Sequence, residues 1–162
     1  MLITKKNRLT LSQREYECIK HLSHGSKNLY NVCLYNVKEN YKETGKHLNG
    51  VASYKKAKDH KDYKCLPSDI AQQTIRILEQ NYQSYFGLLK LKKLGLYDKP
   101  VFPPKFKKKD SHFVLQFPIR KNIAKTHFKI QLSKKLQEKF RIKSIKIERP
   151  EYISSIFFFV NF

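Results

Sequence analysis

The fold of this chain is constrained most strongly by a long stretch of helical periodicity near its start. Ser12 and Glu15, three positions apart, form the capping-box pattern with which many helices begin. Apolar residues then recur every three or four positions until Thr44-Gly45, a typical stop signal. We therefore predict one long amphipathic helix, in which Gly25 either introduces a bend or admits a close neighbour.

A second helical stretch follows a polar, basic connection that could itself hold a short helix at 51–58. Ser68 suits the N-cap position, and Asp69 places a negative charge in the first turn, where the helix dipole favours it. Apolar residues continue at helical spacing into a lysine-rich last turn before Gly95, a common C-terminal cap. The sequence therefore predicts a second long helix.

The character of the sequence changes after Gly95. Pro100, Pro103 and Pro104 break helical structure and favour an extended loop. Runs typical of β-strands come next: HFVLQFP, HFKIQLS, SIKIER and ISSIFFFVNF. Helices followed by antiparallel strands predict an α+β fold.

The charge of the chain favours a polyanionic partner. Its 34 Lys and Arg residues against 13 Asp and Glu residues give a formal net charge of +21, and 13% of its residues are aromatic, all Tyr or Phe. Basic charge together with planar rings suits a phosphate backbone and stacked bases. The alternative is a basic ribosomal-type protein or a merely soluble one.

The loop PPKFKKKD carries a dense part of this charge, in a region where basic residues far outnumber acidic ones. A solvated surface usually mixes both signs of charge, so this run favours contact with phosphate. Its candidate binding residues are Lys105, Lys107, Lys108 and Lys109. Phe102 and Phe106 could stack on bases, but phenylalanine in a proline-rich loop more often anchors the loop by burial, which we expect here.

The helical half supplies further polar candidates for nucleic-acid binding. They lie in SKNLYN on the first helix and just after LPSDIA on the second: Lys27, Tyr30, Asn31, Gln72, Gln73 and Arg76. Asn and Gln can pair with adenine, and Arg can pair with guanine or phosphate. The alternative is that these side chains simply face water on a solvated helix surface.

The sequence contains no recognisable catalytic constellation. Its acidic residues form no DxD or DxE pair on a predicted strand, and it has neither a Walker loop nor a GxSxG motif. Cys18, Cys33 and Cys65 fit no zinc spacing and favour unpaired thiols in a reducing cytosol. His21 and His24 could share a metal, but no second pair supports them. We predict no catalytic residue, no metal and no cofactor.

No signal peptide and no membrane span are expected, because Met1-Leu2-Ile3 is followed at once by lysines and no apolar run is long enough to span a bilayer. The prediction is therefore a cytoplasmic protein, associated with the bacterial nucleoid if it binds nucleic acid.

The motifs, in this order, resemble the N-terminal region of TnpB proteins, the OrfB-type, transposase-associated proteins of insertion sequences, which are RNA-guided DNA endonucleases. The resemblance spans about residues 1–146. Its most specific pieces are LPS-xxAQQ at 66–73, the downstream Phe86 and the P-x-FKKK loop.

The resemblance implies a small antiparallel β-barrel, called a wedge domain in the family, with a helical recognition insertion that contains the two long helices. It implies a first barrel strand at 1–11, the helical insertion at 12–95, and the remaining barrel part at 96–162, including the basic loop and an aberrant C-terminal tail. Guide RNA and target DNA are the implied partners. The family positions near nucleic acid correspond to Tyr30, Asn31, Gln72, Gln73, Lys105 and Lys107, Lys108 and Lys109.

The chain also departs from this family. Family members are more than twice as long, and their RuvC-like nuclease carboxylates have no counterpart here. We therefore expect that the chain is not an enzyme on its own, and that it is either a remnant or half of a split protein. The alternative function is an interaction module that docks to a separate nuclease polypeptide through an exposed SIFFFVNF strand.

Overall fold

The computed structural model describes residues 10–111, 113–116 and 127–148. Helices occupy most of them, and two short strands complete the described elements. In chain order the elements are α1 (Gln13–Thr44), α2 (Gly50–Ala57), α3 (Lys61–Lys64), α4 (Ser68–Lys93), β1 (His127–Gln131), α5 (Lys134–Phe140) and β2 (Ser144–Glu148). These residues belong to two compact units, one with 10–21 and 127–148, the other with 22–111 and 113–116.

The predicted first helix is confirmed as α1, including both of its ends. The capping box is formed: the Ser12 N–H and Oγ donate to Glu15 Oε2 at 2.9 and 2.8 Å, and the Glu15 N–H donates to Ser12 Oγ at 3.4 Å. At the other end Gly45 adopts a φ of +67°, and its N–H donates to Tyr41 O at 2.8 Å. A left-handed residue there ends the helix at little cost because glycine has no Cβ.

The predicted second helix is confirmed as α4, but its expected N-cap is wrong. Ser68 is the first helical residue, and Pro67 occupies the cap position, where no side chain caps the helix. Leu94 and Gly95 close the other end, with Gly95 at a φ of +72°. The short helix expected at 51–58 is α2, which Asn49 caps by accepting a hydrogen bond from the Ala52 N–H at 2.9 Å.

The core of the second unit is helical. Its fully or almost fully buried apolar residues come mainly from α1 and α4: Leu22, Leu29, Leu34, Val37, Ile70, Ile75 and Leu78. The Asn81 side chain on α4 donates to the Tyr30 hydroxyl on α1 at 3.2 Å, and α2 and α3 pack on α4. Gly25 admits a close neighbour, because a Cβ at this position would lie 2.9 Å from Leu66 Cδ2.

The predicted α+β fold with a small β-barrel is wrong, because the described residues form a mostly helical fold with one small sheet. In the described residues β1 and β2 form a two-stranded antiparallel sheet, with Phe128 opposite Ile147 and Ile130 opposite Ile145. Of the expected strand HFVLQFP at 112–118, the described residues 113–116 do not form a strand, and α5 occupies a segment for which no element was predicted. Residues 1–9 and the ISSIFFFVNF run lie outside the described residues.

The described part of the first unit has its own apolar centre. Ile130, Ile145 and Ile147 of the sheet are buried, as are Leu132 and Leu136. Alternate strand positions thus bury one face of the sheet, which is the period-two pattern that identified these strands. No helix in the described part of the chain is both long enough and apolar enough to cross a membrane.

Candidate nucleic-acid interface

The basic loop is fixed to α1 through its own main chain. Asn31 binds both polar groups of Lys107: its Nδ2 donates to Lys107 O at 3.0 Å, and its Oδ1 accepts from the Lys107 N–H at 2.8 Å. One turn earlier on the helix, Lys27 Nζ donates to Lys109 O. These hydrogen bonds involve only main-chain atoms of the loop, so the ammonium groups of its lysines take no part in them.

Ser23 extends this pattern by one more turn. Its Oγ donates to Phe113 O at 2.8 Å and accepts from the Phe113 N–H at 3.0 Å, in a fully buried position. Residues four apart share one face of a helix, so Ser23, Lys27 and Asn31 form a single polar stripe, the α1 clamp. The partners run the opposite way along the chain, from 113 through 109 to 107, so the loop lies antiparallel to α1.

A local turn fixes the tip of the loop as well. The Ser111 N–H and Oγ both donate to Lys108 O, at 3.2 and 2.8 Å. The main chain near Lys107 and Lys109 is therefore held by α1 and by this turn. A loop held in this way loses little further conformational entropy when a ligand binds.

The side chains of the loop lysines project from this fixed main chain. All four predicted binding residues are exposed: Lys105, Lys107, Lys108 and Lys109. Within the described ranges, none of them has a carboxylate within 4.0 Å. Two of them lie over aromatic rings, with Lys107 Nζ 5.5 Å from the centroid of Tyr30 and Lys105 Nζ 5.1 Å from that of Phe102. These positive charges are thus not neutralised by acidic neighbours that the structure describes.

The predicted candidates Lys27 and Tyr30 lie inside the protein, with exposed fractions of 4% and 1%. The ring of Tyr30 packs on Phe113 with centroids 5.1 Å apart, and burial raises the pKa of its hydroxyl although the hydrogen bond from Asn81 opposes this. The contacts of Lys27, Tyr30 and Asn31 position the loop. Direct contact of these three residues with nucleic acid stays a prediction.

The expected burial of Phe102 and Phe106 is wrong. Phe102 is 65% exposed and Phe106 is 48% exposed. Lys38 of α1 lies over the Phe106 ring, with its Nζ 4.6 Å from the centroid, so this ring is held by a cation–π contact at the surface. Both rings therefore remain accessible to a ligand of the loop.

The predicted candidates on α4 occupy a different place. Gln72 and Arg76, one turn apart, line an open groove of about 610 Å³ between α2 and α4, together with Tyr54. Gln73 is half-buried and does not line this groove. No hydrogen bond or ring contact in the described part of the chain joins the groove to the basic loop, so the structure forms two separate candidate surfaces.

A third candidate surface was not predicted from the sequence. An aromatic cleft of about 440 Å³ lies between the C-terminal half of α1 and α4. Its lining residues are Val37, Lys38, Tyr41, Lys42, His47, Tyr82, Tyr85, Phe86, Leu89 and Pro103. The signal for it was present, because positions 82, 85, 86 and 89 share one helix face, but helical spacing alone does not show whether such a face is buried or lines a cleft.

The described residues contain no group of three or more His, Cys, Asp or Glu side chains that could hold a metal ion. Burial raises the pKa of the Cys18 thiol to about 11, although the Lys139 charge opposes this, and that of the Cys33 thiol to about 12. Both thiols are therefore protonated near neutral pH, whereas the thiolate is the nucleophile and metal ligand.

No protein-family model, curated protein or solved structure matches this chain. The geometry of the clamped loop, the α2–α4 groove and the aromatic cleft is therefore the basis for a functional assignment.

Proposed function

We propose that this chain binds nucleic acid through phosphate contacts of the basic loop at 105–109. The observation that carries the proposal is the clamped loop, which holds four exposed lysines on a fixed main chain without a carboxylate partner among the described residues. A preformed cluster of cations is suited to a polyanion because neither the loop nor the charges must be reorganised on binding. The formal net charge of +21 also attracts a polyanion, and it does so at longer range.

The more specific form of the proposal rests on the resemblance to TnpB proteins. In this form the partners are a structured guide RNA and its DNA target, and the chain is the nucleic-acid-binding N-terminal part of such a protein. Its location would be the cytoplasm, at the nucleoid. Gln72, Gln73 and Arg76 are the proposed second contact region, since two of them line the α2–α4 groove.

The test is binding to structured RNA and to duplex DNA across a series of salt concentrations. We expect affinity to fall steeply with salt, and the triple variant Lys107→Ala/Lys108→Ala/Lys109→Ala to reduce the slope of log K against log salt by about 2 to 3 for duplex DNA, at about 0.9 for each lost phosphate contact. The control is Lys55→Ala/Lys56→Ala/Lys58→Ala, which removes the same charge from exposed positions elsewhere. Absence of binding to either ligand at low salt, or equal effects of the two triple variants, would refute the proposal.

We further propose that the chain does not cut DNA on its own. Nicking of DNA by the purified chain with magnesium would refute this. The alternative function, docking to a separate nuclease polypeptide, was predicted from SIFFFVNF, which lies outside the described residues, so no observation of the structure favours it.

A further inference from the structure

The aromatic cleft combines features that the basic loop lacks. Its walls hold several rings in mutual contact: His47 lies 4.7 Å from Tyr82 and 5.3 Å from Phe86, and Tyr85 lies 5.3 Å from Phe86, measured between ring centroids. Phe86 is nevertheless 45% exposed, and Tyr41 on the opposite wall is also exposed. The aromatic stripe of α4 therefore continues from the core to the protein surface.

The charges around this cleft favour an anionic ligand with a planar part. Its lining includes Lys38 and Lys42 but no carboxylate, although Glu39 pairs with Lys42 at 2.7 Å. Aromatic pockets can also hold organic cations. Such a ligand is disfavoured here, because a cation would meet the charge of Lys38 and no lining carboxylate, while Lys42 is already paired with Glu39.

The cleft is also continuous with the basic loop. Pro103, two residues before Lys105, lines the cleft directly. Lys38 lines it as well and lies over the ring of Phe106, which stands among the loop lysines. A strand whose phosphates follow the loop therefore passes the mouth of the cleft.

We propose that the aromatic cleft takes one unpaired base of a nucleic-acid strand whose phosphates contact the basic loop. This inference rests on the proposed function and adds the kind of strand that is bound, namely a single-stranded or bulged one. The volume of about 440 Å³ lies within the range of small-ligand pockets, and stacking on rings is tolerant of base identity. Duplex DNA, whose bases are paired and stacked, offers no base to the cleft.

The test compares two single strands of equal charge, an oligodeoxyadenosine of about 12 nucleotides and an all-abasic strand of the same length. We expect the intact chain to prefer the strand with bases by about 5- to 150-fold, the contribution of one stacked base. Phe86→Ala should abolish this preference and leave affinity for the abasic strand unchanged. Tyr35→Ala is the matched control, because Tyr35 is an exposed ring on α1 that lies outside the cleft lining and outside the basic loop, and it should retain the preference.

A second readout does not depend on truncating the ring. The chain contains no tryptophan, so Phe86→Trp introduces a single tryptophan in the cleft, which can be excited selectively over the ten tyrosines, while keeping a stacking surface. We expect its fluorescence to be quenched by the strand with bases and not by the abasic strand. Circular dichroism of each variant checks that it is folded.

The outcomes separate this inference from the proposed function. Equal affinity of the intact chain for the two strands, a preference that Phe86→Ala leaves intact, or unquenched Phe86→Trp fluorescence would refute the base site and leave phosphate binding standing. If the intact chain binds neither strand, nor structured RNA, nor duplex DNA at low salt, the proposed function itself fails.

Discussion

The α1 clamp can be tested with two serine-to-alanine changes that differ in one respect. Ser23 and Ser26 lie on the same helix, and both are fully buried. The Oγ of Ser23 makes two hydrogen bonds to Phe113, whereas the Oγ of Ser26 has no hydrogen-bond partner in the described part of the structure. Ser26→Ala therefore controls for helix propensity, volume and burial.

The expected magnitudes follow from the hydrogen bonds. Ser23→Ala leaves the N–H and C=O of Phe113 without their partner in a buried place, at about 1–3 kcal/mol for each unsatisfied group. Allowing for partial relaxation, we expect a loss of about 2–4 kcal/mol in the free energy of unfolding. Ser26→Ala removes a hydroxyl that is buried at a cost, so it should be neutral or stabilising by up to about 1 kcal/mol.

The assay is urea unfolding of both variants, with thermal melting as a second probe. For a chain of this length, the loss in Ser23→Ala corresponds to a fall of about 4–16 °C in Tm. The sign of the difference between the two variants is the decisive result. Equal stabilities, or a larger loss in Ser26→Ala, would show that the Ser23–Phe113 hydrogen bonds do not fix the loop, and the reasoning about the clamp would be wrong.

Three further predictions follow from other positions. Gly25→Ala should be less favourable than Gly87→Ala by about 1 kcal/mol or more, because its Cβ would lie 2.9 Å from the Leu66 side chain, which must shift, while Gly87→Ala, with no atom within 4 Å beyond its own helix backbone, should stabilise by about 0.5–1 kcal/mol; equal effects of the two changes in urea unfolding would contradict this. Asn31→Ala should weaken RNA binding about fivefold by releasing the loop, with an unchanged salt slope since no charge is removed; a changed slope would contradict this. The Cys33 thiol ionises near pH 9 when unfolded but near 12 when folded, so stability should fall as pH rises through 9, by about 1.4 kcal/mol at about pH 10. This part of the fall should be missing in Cys33→Ala, and an identical pH profile in both proteins would refute it.

The two long helices were predictable because their signals are local. The capping box of Ser12 and Glu15 and the left-handed glycines at the helix ends involve residues only a few positions apart. The N-cap of α4 was placed one residue late, and differences of one residue at helix ends are common.

The β-barrel prediction was wrong because it came from the family resemblance and not from a local signal of this kind. Alternation identified β1 and β2 correctly, but it specifies only that one face of a strand is buried, and not how many strands pair. The segment at 113–116 has strand-like composition, yet the N–H and C=O of Phe113 are bound by the Ser23 side chain. A long-range side-chain contact therefore takes the place that a neighbouring strand would have filled.

The structure shows contacts for Lys27 and Asn31 that the sequence did not predict. Lys27 and Asn31 were selected because polar groups on a helix can face nucleic acid, whereas in the structure they bind a loop that lies 82 and 76 positions further along the chain. Their spacing of four from Ser23 was visible in the sequence. The spacing alone does not identify the partner of the stripe, because that partner lies far away in the sequence. The contact could therefore not be predicted from local patterns.

The α1 clamp has a consequence for how this surface could change by substitution during evolution. It holds Lys107 and Lys109 only by main-chain atoms, which every residue type possesses apart from the missing N–H of proline. The contacts with α1 thus set the path of the loop main chain, and these hydrogen bonds do not depend on the side-chain type at 107 and 109. Substitution at these positions could exchange lysines for acids, aromatics or metal ligands and so alter what is bound without altering where it is bound. The residues of the loop could therefore be replaced while α1 keeps its main chain in the same place.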